Sequence, residues 1–139
     1  MSVFDTIRIA ASGLTAQRLR MDVAASNLAN AESTRTSGGQ AGKPYQEEAV
    51  VFQAQQMGPM AAAQGVAAVA IVQPAKPNTR VYDPNNPDAD TSGFVNSPNV
   101  DVASEMTDMM GAARSYQVNA TVAQAAKQQA LDALDLGRG

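Results

Sequence analysis

The sequence predicts a mainly α protein, in which two long terminal helices pair as an antiparallel coiled coil around a small middle segment rich in β-hairpins. Three observations carry that expectation. Apolar residues recur at alternating spacings of three and four near both ends, the pattern of a narrow coiled-coil seam. All seven prolines and most of the ten glycines lie between those two stretches, where they exclude long helices. Between these breakers stand short β-branched runs of strand length.

The first element is expected from Val3 to Asn30, within an N-terminal segment 1–30. Its heptad positions are Phe4, Ile7, Ala11, Leu14, Arg18, Met21, Ala25 and Leu28, all apolar except Arg18. Asn27 and Asn30 stand near its end, where Asn stops a helix, and a loop beginning at Glu32 follows. Residues 31–99 form the middle segment. Candidate strands there are Ala49 to Gln53, Val66 to Val72 and Thr79 to Tyr82, while Gly38 to Gly42 and Met57 to Gly65 read as mobile loops.

The last element is expected from Asp101 to Leu136, within a segment 100–139 that packs with 1–30 as one unit. Asn99 or Asp101 can cap its free N–H groups and Gly137 closes it. The heptad positions are Val102, Met106, Met109, Ala113, Tyr116, Ala120, Ala123, Lys127, Ala130 and Leu134, broken only by Lys127. Asp101, Glu105 and Asp108 favour the positive end of the helix dipole. Helices of these lengths make a rod ~40 to 50 Å long at ~1.5 Å per residue. Seams rich in Ala bury little area, so the remaining faces are expected to seek neighbours.

Composition narrows the chemistry. The 139 residues include no Cys and no His, which removes disulfides, thiolate nucleophiles, the usual zinc ligand and the usual general base near neutral pH. A formal net charge of -3, spread over the chain, offers no basic footprint for nucleic acid. The first residues lack a basic region followed by an apolar run, so export through the general secretion route is not expected. No stretch approaches the ~18 apolar residues of a membrane span.

Few residues suggest a ligand. The acidic run Asp83 to Asp90 fails as a calcium loop, because Pro87, Asp88 and Phe94 stand where a ligand, Gly and a bidentate Glu are needed. Ser37 to Pro44 resembles a phosphate loop only superficially, with Ser37 in place of the first Gly and Pro44 in place of Ser or Thr. Met106, Met109 and Met110 with Tyr116 form an adaptable surface whose helical spacing favours packing or subunit contact over a ligand groove. Arg18 and Lys127 either set register or extend solvated heads over an apolar seam.

The stretch Ala24-Ala-Ser-Asn-Leu-Ala-Asn-Ala-Glu-Ser-Thr34 resembles the N-terminal signature of the flagellar axial proteins, the group containing rod, hook and hook-associated proteins. Three more stretches narrow the resemblance: Pro44 to Gln53, Val81 to Val95, and Pro98 to Met106 leading into Ala113-Arg-Ser-Tyr-Gln-Val-Asn119. In this order and length they are similar to the short proximal rod proteins of the bacterial flagellum. The resemblance implies a non-enzymatic subunit, without cofactor or small-molecule substrate, that polymerises helically with its terminal helices around a secretion channel. It implies as partners other copies of the chain, other rod proteins and the flagellar type III export apparatus, and a place in the rod where it spans the periplasm. Ile7, Leu14, Met21, Leu28, Met106, Met109, Tyr116 and Leu134, with Phe4, are the expected packing groups of the assembly interface. Asn27, Asn30, Arg114, Gln117 and Asn119 are the polar groups that the motifs place there.

Two other readings fit parts of the pattern. A helical-hairpin adaptor or secretion chaperone would keep the seam without needing the Asn-Leu-Ala-Asn and Ser-Tyr-Gln-Val-Asn motifs. A peptidoglycan-cleaving enzyme needs a positioned carboxylate pair, whereas Glu47 and Glu48 are adjacent and splay apart on a strand.

Overall fold

The computed structural model describes residues 2–35, 43–57 and 64–137. Helix α1 spans Val3–Ala29 and helix α2 spans Val102–Leu136. Between them lie two antiparallel hairpins, β1 (Ala49–Gln56) with β2 (Gln64–Val72), and β3 (Thr79–Tyr82) with β4 (Phe94–Ser97). This is the expected architecture of terminal helices and a hairpin-built middle.

Local chemistry sets the helix bounds. Ser2 and Asp5 form a reciprocal capping box, the Asp5 carboxylate accepting from the Ser2 backbone N–H at 2.9 Å. Asn30 closes α1, its Nδ2 donating to the Ser26 carbonyl at 2.9 Å. Asp101 opens α2 by accepting from the N–H groups of Ala103 and Ser104 at 3.0 and 3.3 Å. Gly137 follows as the C-cap.

The hairpins correct three expectations. β1 runs three residues beyond Gln53, to Gln56, and β2 begins at Gln64 rather than Val66. The register slips between Val51 and Phe52, so Val51 faces Ala70 while Phe52 faces Ala68, a bulge that bends the ribbon over α1. β4 was not expected from sequence: it has only four residues between Gly93 and Pro98, and pairing with β3 defines it. Gln64 and Gly65, expected within a loop, belong to β2, and the rest of that loop beyond Met57 lies outside the described residues, as does the Gly38 to Gly42 stretch. Of the phosphate-loop-like stretch, only Lys43 and Pro44 are described.

Helix α1 has two neighbours. β2 crosses it where the Ser12 hydroxyl donates to the Ile9 carbonyl at 2.7 Å and accepts from the Val66 N–H at 3.1 Å. Gly65 makes that crossing possible, because a Cβ there would stand 2.6 Å from the Ser12 Oγ and 2.6 Å from the Met57 Cε. α2 covers the other side. A Cβ on Gly13 would stand 2.7 Å from Asn119 Nδ2, and Arg20 pairs with Asp108 at 2.8 Å. Asn27 lies beside Glu105, so the meeting residues run in opposite order along the two helices. Carried to the start of α1, this register leaves the last turns of α2, with Leu131, Leu134 and Leu136, beyond the end of α1.

Candidate assembly surfaces

The buried face of α1 consists of small residues and one amide: Ala10, Gly13, Ala16, Val23, Ala24 and Asn27. The large apolar residues expected at heptad positions sit one place further on. Ile7, Leu14, Met21 and Leu28 are half-buried, Phe4 and Ala11 are exposed, and Ala25 is exposed. Close helix approach explains the rotation. Ala and Gly let two backbones come together, whereas Leu or Met at the same points would hold them apart.

In α2 half the expected positions keep their phase. Met109, Ala113, Ala120, Ala123 and Ala130 are half-buried, but Glu105, Ala112 and Ala126 are the fully buried residues, each one place before the expected Met106, Ala113 and Lys127. The Lys127 interruption thereby disappears, since Ala126 takes the inward place. Arg18 is likewise exposed, one position past the inward face.

The remaining motif residues divide into two groups. Asn27, Asn30 and Asn119 turn inward, Asn119 filling the space left by Gly13. Met106, Arg114, Tyr116, Gln117 and Leu134 are exposed, as is Phe4, which is 71% accessible. Met110, Val118, Leu131 and Leu136 extend this outward apolar surface.

Asn27 is the centre of the inward group, with only 1% of its surface accessible. Its Nδ2 donates to the Glu48 carbonyl at 2.8 Å, and its Oδ1 accepts from the Glu48 N–H at 2.9 Å and the Tyr45 hydroxyl at 2.8 Å. The side-chain amide thus pairs with Glu48 as a neighbouring backbone would, locking the approach to β1 onto the end of α1. Burial raises the Tyr45 hydroxyl above its ordinary range, partly offset by its contact with Ser26.

Beside this node is a cavity of about 280 Å³ bordered by Arg20, Val23, Glu47, Glu48, Glu105 and Asp108. Burial holds the Glu105 carboxyl above its ordinary range, partly offset by the Asn27 amide and reinforced by Glu47 and Asp108. Glu47 is held by Lys76, whose Nζ donates to its two oxygens at 2.6 and 2.8 Å. Glu47 and Glu48 therefore serve different structural roles, one in an ion pair and one through its backbone.

In the acidic run, Asp88 ties the β3–β4 loop to the exit of α1 by accepting from the Thr34 hydroxyl at 2.7 Å and pairing with Arg35. Asp90 accepts from the N–H groups of Ser92 and Phe94 at 2.8 and 3.0 Å and pairs with Arg80 at 2.6 Å. These carboxylates organise a turn. Sequence reasoning missed Ser12, Gly13, Tyr45, Gly65 and Glu105 as positioning groups. The glycine in the middle of an otherwise favourable helix was the available signal for Gly13.

Comparison with known proteins places both ends of the chain. The family model described as "Flagella basal body rod protein" matches residues 7–35, and the one described as "Flagellar basal body rod FlgEFG protein C-terminal" matches residues 91–136. Across its length the chain is similar to the flagellar basal-body rod protein FlgC of Escherichia coli O157:H7, with 45% identity over 138 residues covering 99% of this chain and all of that protein. The FlgC of Salmonella typhimurium is 44% identical over 138 residues, with coverage of 99% and 100%. That of Bacillus subtilis is 38% identical over 151 positions, with the same coverage.

Proposed function

The chain belongs to the FlgC family of flagellar basal-body rod proteins, and from that premise we propose that it builds the rod by helical polymerisation through its terminal helices. It is a structural component of the flagellar basal body and not an enzyme. In the proposed arrangement, α1 and α2 pair as an antiparallel coiled coil, and pairs from successive copies line the export channel while the hairpins face outward. Torque passes through many such contacts in parallel. The chain reaches the periplasm through the flagellar type III export apparatus and meets other rod proteins at the ends of its own stack.

The observation that carries this reading is the division of labour on the helices. Small residues make the contact inside the chain, and large ones remain outside: Met106 is 54% accessible, Met110 66%, Leu134 65% and Leu136 85%. Large apolar side chains left exposed in this number along one helix favour a role in protein contacts. The interface residues expected from sequence, Phe4, Ile7, Leu14, Met21 and Leu28 with Met106, Met109, Tyr116 and Leu134, are assigned to contacts between subunits. Arg114 and Gln117 supply polar contacts on the same outward face.

The α2 overhang gives the test. Leu131→Asp together with Leu134→Asp places two charges on a surface that is wet in the monomer and dry in the polymer. The isolated variant is expected to keep its helix content by circular dichroism, and cells are expected to export it yet build no complete rod. Normal incorporation and motility would overturn the reading.

A further inference from the structure

We propose that the cavity beside Glu105 receives Arg114 from a second copy of the chain, forming an ion pair that sets the direction of subunit stacking. The inference rests on the polymerisation proposed above and names one contact within it.

Glu105 is 9% accessible, and it is buried differently from Asn27. Asn27 spends both polar atoms of its side chain on Tyr45 and Glu48; its amide eases the Glu105 charge, as Lys76 does from further off, but among the described residues no ion pair reaches the Glu105 carboxylate. The carboxylate opens instead into the cavity of about 280 Å³, room for several water molecules or a side-chain head. Of the other carboxylates there, Glu47 is engaged by Lys76 and Asp108 by Arg20, while Glu48 has no ion pair among the described residues. The cavity is therefore left net negative. A buried carboxylate without a counter-ion is costly, and a cation entering from outside removes that cost.

The chain presents such a cation on its most apolar outward ridge. Met106, Met110, Arg114, Val118 and Val122 follow one another at four-residue intervals, and the apolar four are 54%, 66%, 57% and 40% accessible. Rows of this spacing are the ridges that pack into grooves of neighbouring elements. Arg114 stands at the centre and has no carboxylate partner among the described residues. Once the ridge is covered, its guanidinium loses water and needs a planar two-oxygen acceptor, which a carboxylate supplies. Arg18, by comparison, has Asp22 one turn further on, and Lys127 lies between half-buried Ala123 and exposed Leu131 without a flanking ridge.

Geometry makes the second copy necessary. Arg114 follows Glu105 by nine residues, which at about 100° per residue puts it on the opposite side of α2. One chain cannot satisfy its own cavity. A donor on one side and an acceptor on the other make a heterologous contact that need not close, so the third copy adds to the second as the second does to the first.

The absence of Cys allows a clean test. Asp108→Cys on the cavity rim and Arg114→Cys on the ridge lie six residues apart on one helix, about 9 Å, too far for a disulfide within a chain. Expressed beside the parent chain, so that rods still form, the double variant is expected to give covalent multimers in oxidised basal bodies, and neither single variant is. Incorporated double variant that stays monomeric, or that bonds only to a different rod component, would overturn the pairing. Arg114→Glu, at an exposed position that leaves the fold intact, is expected to lower the motile fraction at least tenfold, with Arg114→Lys intermediate; parental motility from Arg114→Glu would also overturn it. Amine-reactive cross-linking of the unmodified chain in basal bodies reads polymerisation separately. Multimers there with no disulfide in the double variant would remove this contact and leave polymerisation standing.

Discussion

Helices α1 and α2 carry the same three-and-four apolar spacing and reach different ends. α1, with 27 residues, buries six of them, whereas α2, with 35, buries three. α1 lies between α2 and the β1–β2 hairpin, whereas among the described elements α2 packs on α1 alone. A heptad pattern therefore reports that a helix has a partner face without saying whether the partner is in the same chain. On α1 most of the requirement is met internally, and on α2 most of it is not, which the proposed polymerisation would answer.

The sharpest way to break this comparison is at Asn27, whose side-chain hydrogen bonds among the described residues hold the approach to β1 against α1. Asn27→Leu has similar volume but strands the Glu48 N–H and carbonyl and the Tyr45 hydroxyl, so a loss of about 3 kcal/mol is expected from unmet polar groups. Urea unfolding of the isolated chain measures it. A change below about 1 kcal/mol would mean that the node reorganises freely and that α1 is not the better-anchored helix.

The two mid-helix glycines sharpen the contrast next, because they differ in sign. A Cβ at Gly13 meets Asn119 Nδ2 at 2.7 Å and Cγ at 2.9 Å, while one at Gly111 meets nothing within 4 Å. Gly13→Leu is expected to cost about 2 kcal/mol by overpacking the contact between helices. Gly111→Ala is expected to add about 1 kcal/mol through helix propensity alone. Thermal unfolding of both variants checks the pair, and two changes of the same sign would contradict the assigned faces.

The same contrast explains what could be read from the residues. Helix bounds were legible because caps are local: Asp101, Asn30 and Gly137 act within one turn of their own position. The phase of the seam was not, because periodicity weights residues by apolar size, and that ranking favours Leu14 and Leu28 over Gly13 and Asn27. Close approach reversed it, bringing the small residues inward and leaving the large ones half-buried or exposed. β4 was illegible for a different reason, since four residues acquire strand character only from pairing with Thr79 to Tyr82. The motif asparagines were recognisable as special, but their partners at Glu48 and Gly13 lie far away in the chain and depend on the completed fold.

The smallest expected effect on the isolated chain is the most informative about α2. Burial raises the Glu105 carboxyl above the ordinary carboxylate range, so the fold favours the protonated form. Its contribution is fully present below the unfolded value and is lost as pH rises through the raised folded value. Asp88 has the opposite slope: Arg35 and Thr34 lower it from 3.8, so its contribution is present above that value and lost as pH falls. Glu105→Gln keeps the shape and removes the charge, which makes the isolated chain slightly more stable near neutral pH and brings it level with the parent in acid, below the range in which the unfolded carboxyl ionises. Urea midpoints of the two chains should therefore coincide in acid and separate as pH rises, with the Gln chain above. Parallel curves would show that the carboxylate is not buried at a cost. If they separate as expected while the Gln variant builds fewer rods than the parent, the charge weakens the free subunit and strengthens the polymer. That opposition of signs distinguishes a residue retained for a partner from one retained for the fold.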